Sequence, residues 1–163
     1  MNTQRLCPVY RKWLQLNPTD AREHRFSMQL ESQQAHQQGK PNSALAKGYQ
    51  AFETARIVLT ALQPVSYEKN PTVEQDILAF GTMGMYLYAL LNKMHKKREA
   101  HNILQECQQQ LIAIWPLHAT NPSVCRLISA VQYTLEQANI TPRQRSAHNH
   151  IHNQHHALST KAH

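Results

Sequence analysis

The chain has 163 residues, a formal net charge of +7, 41% hydrophobic and 17% charged residues. That length suits one domain with a sizeable core, and the composition is that of a folded globular chain rather than a disordered one. With only 4 glycines, it has little room for Gly-rich phosphate loops or tight hairpins.

From the N-terminus, Arg5 to Leu16 predicts a short helix with Leu6, Val9, Tyr10, Trp13 and Leu14 along one side. Asn17-Pro18 breaks it, because a proline drives the preceding residue out of the α region. Asp20 is placed to cap the next helix, with Glu23 at the capping-box position. That helix runs to Gln38 and stops at Gly39, and its apolar face is thin: Ala21, Phe26, Met28, Leu30 and Ala35. Beyond the Pro41-Asn42-Ser43 turn, Leu45, Gly48, Tyr49, Phe52, Ala55, Leu59 and Leu62 recur at spacings of three and four. This amphipathic helix ends before Pro64. Asn70-Pro71 reads as a cap with proline at the first helical position. Val73, Ile77, Phe80, Gly84, Tyr88 and Leu91 then trace one stripe, while Leu78, Met83, Met85, Tyr86 and Leu87 make other faces apolar as well. Such a helix is central in its fold, or has a further face covered by a partner. After a turn at Met94 to Lys97, Ala100, Ile103, Leu104, Cys107, Leu111, Ile114 and Trp115 form the next stripe, closed by Pro116. Asn121-Pro122 opens the last helix, with Val124, Leu127, Ile128, Val131, Leu135 and Ala138 on one face and Pro142 at its end.

No segment alternates with period two, so no strand is predicted. The expected fold is all-α: an antiparallel bundle of about five main helices with a short N-terminal helix, joined by short connections. Residues 1–142 form the bundle domain and 143–163 a histidine-rich tail, expected to be disordered.

Enzyme signatures such as HExxH, GxSxG or a Walker loop are absent. Glu74 and Asp76 share a helix with no obvious acid-base partner, and Cys107 on an apolar stripe reads as a small core residue. The expectation is a non-enzymatic protein with no cofactor. His148, His150, His152, His155, His156 and His163 crowd the tail. Their spacing is not that of a closed structural metal site, and no physiological metal is assigned to them. Met1 to Pro8 is polar and reads as no export signal. The most apolar stretch, Ile77 to Leu91, is shorter than the roughly 20 residues a bilayer requires. Three scattered cysteines without a CxxC pair suit a reducing compartment, so a cytoplasmic location is expected. Lysine and arginine dominate residues 1–64 and 121–163, whereas 65–120 is balanced. The basic charge permits nucleic-acid contact without requiring it, no basic-aromatic stripe is present, and the expected partner is a protein rather than nucleic acid, the charge reading as a solvated surface.

Two families offer comparisons. Gly39 with Ala44, and Glu99-Ala100 after a helical turn, resemble tetratricopeptide hairpins, although no repeat holds a fixed period. The order of elements from Asn17 to Trp115 resembles the flagellin-specific secretion chaperones of the FliS family. The likeness lies in the helix start at Asn17-Pro18-Thr19-Asp20, the stop at Gly39-Lys40 and the run Ala51-Phe52-Glu53-Thr54-Ala55-Arg56-Ile57-Val58-Leu59. It continues in the Tyr/Met-rich helix from Met83 to Met94 and the ending Leu111-Ile112-Ala113-Ile114-Trp115. The chain departs from that family in its basic charge, the added helix at 122–138 and the histidine tail. The resemblance implies a chaperone or adaptor that holds a disordered segment of a secreted filament subunit as a helix in apolar grooves. The partner-binding residues it suggests here are Tyr10, Ile77, Phe80, Met83, Tyr86 and Leu87. The alternatives are a tetratricopeptide-like scaffold or a basic helical regulator that contacts nucleic acid.

The tail supports one prediction. Ile151 and Leu158 are its large apolar groups, and burying both returns about 3–5 kcal/mol at best. Ordering some twenty residues costs roughly 1–2 kcal/mol each in backbone entropy. Deleting everything after Pro142 should therefore leave the melting temperature nearly unchanged in a metal-free sample; a loss of several degrees would mean that the tail packs on the domain.

Overall fold

A computed structural model describes residues 6–61 and 71–140. The described residues form α1 (Pro8–Leu16), α2 (Pro18–Gln37), α3 (Pro41–Thr60), α4 (Pro71–Lys93), α5 (Lys97–Ile114) and α6 (Pro122–Asn139), with a 3₁₀ turn at Trp115–His118 between the last two. Five helices start on a proline. The first helical N–H has no intrahelical acceptor, so proline loses nothing there and its fixed φ favours the helix. Among the described residues, capping is sparse. Asn121 accepts from the Val124 N–H, whereas Asn17 caps α2 with no side-chain bond and Asp20 sits inside the first turn, where its charge complements the positive end of the helix dipole.

Two connections use the same backbone device. Gly39 has φ +69°, with the Lys40 N–H on the Ala35 carbonyl and the Gly39 N–H on that of His36. At the end of α4, His95 has φ +59°, with the Lys96 N–H on Leu91 and the His95 N–H on Asn92. Both are Schellman-type ends, in which a left-handed residue lets the chain reverse while satisfying the last carbonyls.

The bundle closes around α4. Ring stacking joins Phe80 to Phe52 of α3 at 5.1 Å. The Tyr86 hydroxyl lies 2.9 Å from Ser32 Oγ of α2, and Ser32 in turn donates to the Ala44 carbonyl. Gly84 lies against Cys107 of α5, and Gly81 against Val131 of α6. The Tyr88 hydroxyl donates to the Ala138 carbonyl at 2.8 Å. These pairings run α2, α4 and α6 parallel to one another and antiparallel to α3 and α5. Ile77, Phe80, Met83, Leu87 and Leu91 are completely buried, as expected of a helix that is apolar on most sides. A second, smaller core of Leu6, Leu14, Ala21, Ile57 and Val58 holds α1 on α2 and α3.

The all-α bundle is as expected, with local corrections. Phe26 and Leu30 are exposed, because α2 turns the small or flexible Ala21, Met28, Ser32 and Ala35 inward instead. Trp115 is 37% exposed rather than a core aromatic: α5 ends at Ile114, and the 3₁₀ turn rotates Trp115 out of the stripe. Leu62 and the tail from 143 lie outside the described residues. Among those described, no helix is long and apolar enough to cross a membrane.

A methyl group at Gly84 would overlap Cys107 Sγ, so Gly84→Ala must push α5 away from α4. It should destabilise the protein by about 2–4 kcal/mol, at or above the usual range for overpacking. Adding Cys107→Ala should recover part of that loss in denaturant titrations; a Gly84→Ala protein as stable as wild type would refute the close approach.

Candidate functional site

The residues expected to line a groove divide sharply. Ile77, Phe80, Met83 and Leu87 are fully buried inside the bundle, and no partner reaches them while it is closed. Tyr86 is half-buried, its hydroxyl engaged by Ser32. Ile77, Phe80, Met83 and Leu87 therefore line no surface groove, because neighbouring helices cover them, and the side of α4 left to solvent carries Leu78 instead. Tyr10 alone of the six is classed as exposed, at 37%.

Around Tyr10 lies the densest exposed apolar group on any one helix. Val9 is 79% exposed, Trp13 44% and Leu16 72%. Spaced at i, i+4 and i+7, these three share one side of α1, while Leu14 points into the small core. Tyr10 and Trp13 stack at 5.7 Å, and Tyr10 meets His24 of α2 edge-on at 5.3 Å. The Tyr10 hydroxyl is 3.3 Å from His24 Nδ1, whereas His24 Nε2 is buried without a hydrogen-bond partner. Burial holds the His24 pKa below the usual imidazole range, because an apolar surrounding disfavours the charged ring.

The seat of α1 is fixed by charge as well as by apolar contact. Glu53 of α3, 4% exposed, pairs with Arg11 of α1. Arg56 lies 3.7 Å from the same carboxylate and 4.0 Å from Glu106 of α5. A buried carboxylate is tolerated when cations hold it, so this chain of charges sets the position of α1 along α3. Helical spacing puts Leu6, Val9, Tyr10, Trp13 and Leu14 along one side of the helix. Only Leu6 and Leu14 turn fully inward, and the signal available was that α1 has more apolar residues than one face of nine residues can bury.

The other candidate groups have structural partners. Asp76 receives a two-pronged contact from Arg22, Nε to Oδ1 at 2.9 Å and Nη2 to Oδ2 at 2.8 Å, a geometry that only arginine offers. Glu74 accepts from Ser123 Oγ at 2.6 Å. Cys125 Sγ lies 3.2 Å from the His118 carbonyl. Among the described residues, no group of three or more His, Cys, Asp or Glu side chains is placed to hold a metal ion. The histidine tail lies outside them. Compared with known family models, curated proteins and solved structures, the chain has no match.

The thiols should differ in reactivity. Burial pushes the Cys107 thiol up to about 12, so its reactive thiolate is scarce at neutral pH. Cys7 is exposed, and the Tyr10 and Val9 backbone N–H groups lower its pKa. Mass spectrometry after brief alkylation at pH 8 should find Cys7 modified first and Cys107 only after denaturation; rapid native labelling of Cys107 would show that the α4–α5 interface opens.

Proposed function

We propose that this chain is a non-catalytic helical chaperone or adaptor that holds an amphipathic segment of a secreted filament subunit, with the outer face of α1 as its docking surface. The observation that carries the reading is the exposure of Val9, Trp13 and Leu16 on one side of a helix whose other side is already buried. Surface apolar residues scattered singly need no explanation, whereas a contiguous group marks an interaction site. Its aromatic pair suits a partner helix, since Trp and Tyr are the residues that most often anchor interfaces. The nature of the client follows the resemblance of residues Asn17 to Trp115 to the flagellin-specific export chaperones.

The physical logic is reversible burial. A client segment hides its apolar face against α1 and is released on export, and the entropy lost in ordering it keeps the affinity moderate. Such a role places the protein on the cytoplasmic side, before secretion. An open tetratricopeptide-like superhelix fits less well, because α4 packs against helices on most of its sides rather than lining a concave surface.

Titration calorimetry with terminal segments of flagellin-like subunits tests the reading. Trp13→Ala with Val9→Ser should weaken binding by roughly 10-fold or more, the equivalent of about 1.4 kcal/mol or more, while helix content stays unchanged. If no filament-subunit segment binds the wild-type chain, the client assignment is lost; if the double variant binds as tightly as wild type, the α1 surface is lost.

A further inference from the structure

The end of the bundle where α4 passes into α5 carries a concentration of cations. Lys93, His95, Lys96, Lys97 and Arg98 occupy five of six successive positions. All but Lys96 are exposed, and Lys96 is half-exposed. The fold adds more from distant sequence. Gly48 packs on Leu87, and α3 runs antiparallel to α4, so the α2–α3 turn with His36 and Lys40 lies at this same end. His101 Nδ1 lies 3.0 Å from Asn139 Oδ1, which places the end of α6 there too. The opposing acids are few: Glu99, 3.4 Å from Lys96, and Glu136, a turn back on α6. Asp20, Glu23, Glu74 and Asp76 all sit at the starts of α2 and α4, toward the far end of the molecule.

We infer that this basic end, centred on Lys93 to Arg98, binds the phosphate backbone of nucleic acid. The choice of partner rests on what the surface lacks. The exposed large apolar side chains lie on α1, the middle of α2, the first half of α4, the end of α5 with its 3₁₀ turn, and α6 at Tyr133, and none of them lies in this turn or the α2–α3 turn. Apolar insertion beside the charge strengthens attachment to a lipid surface, and buried aromatic anchors strengthen a protein interface; this end of the molecule, among the described residues, offers neither. A phosphate backbone needs only cations and hydrogen-bond donors, and exposed Asn42, Asn102 and Asn139 add amide donors at the same end. This inference stands apart from the α1 surface and survives the loss of any filament client.

Fluorescence anisotropy of the full chain tests it, with a labelled DNA duplex of about 20 base pairs and a labelled RNA strand of about the same length, across a salt series from about 50 to 250 mM. Binding should weaken steeply with salt. Lys97→Glu with Arg98→Glu should lower affinity by at least roughly 10-fold and flatten the logarithmic salt slope by about 2, since each neutralised duplex phosphate contributes about 0.9. The exposed pair Lys12→Glu with Arg126→Glu, which makes the same change in net charge away from the turn, should lower it by no more than about 3-fold. Circular dichroism checks that both variants fold, and Lys97→Gln with Arg98→Gln should give an intermediate loss. The inference fails if neither nucleic acid binds at the lowest salt, if the two charge reversals weaken binding equally, or if the chain sediments with phosphatidylserine vesicles but ignores both nucleic acids.

Discussion

Close packing on most sides of α4 is the constraint on which the rest of this structure depends. A helix reached from α2, α3, α5 and α6 needs somewhere to let its neighbours come close, and Gly81 and Gly84 supply it. Without a Cβ at Gly84, Cys107 rests on the α4 backbone, and without one at Gly81, Val131 does the same from α6. These contacts set the depth at which α5 and α6 lie against α4, while Gly48 gives Leu87 its place against α3. Polar groups then fix register. The Ser32–Tyr86–Ala44 connection and the Arg22–Asp76 fork tie α2 to its neighbours, and a buried polar group that is satisfied in only one alignment penalises slippage of the others.

What the sequence revealed follows from which signals are periodic. The stripes of α3, α4, α5 and α6 are long and regular, and the helices lie where the stripes place them. The breaks were readable because proline and left-handed turn residues act locally: Pro18, Pro41 and Pro122 open helices, and Gly39 ends one. Side-chain destination was less legible. Periodicity shows that α4 is apolar on several faces but not whether protein or a partner covers the extra one, since both demand the same residues. Trp115 continues the stripe arithmetically, yet Pro116 follows it and the helix tightens into a 3₁₀ turn before the next residue in register. α2 misled in the opposite direction. Its large residues, Phe26 and Leu30, lie outside, and its small ones inside, because a neighbouring helix approaches closely where side chains are small.

The two candidate surfaces were hidden for different reasons. Val9 and Trp13 share a stripe with Leu6 and Leu14 in the sequence; only the seating of Leu14 and the Arg11–Glu53 pair shows which side of α1 is left over. The basic end was hidden by averaging. Residues 65–120 are balanced in charge, but Glu74 and Asp76 stand at the start of α4, whereas Lys93, Lys96, Lys97 and Arg98 gather at the turn with Glu99 as the acid beside them. Only the fold separates the two groups along the length of α4, leaving one end strongly positive.

That separation bears on how the surfaces can work together. α1 lies beside the N-terminal half of α2, with Tyr10 against His24 and Leu16 adjoining Pro18, while the basic turn adjoins the far ends of α2 and α4. Helix α2 spans 20 residues, about 30 Å at the rise of an α-helix, so occupants of the two surfaces need not collide. The charged surface attracts over distance and weakens with salt, whereas the apolar one acts on contact and is largely insensitive to salt. Coupling between them would have to pass through the packed interior along α2 or α3. The close approaches at Gly81 and Gly84 leave that interior little freedom to adopt a second arrangement, and a coupled response requires an element with two arrangements that both sites bias. The geometry therefore favours two independent surfaces on one rigid bundle over an allosteric switch.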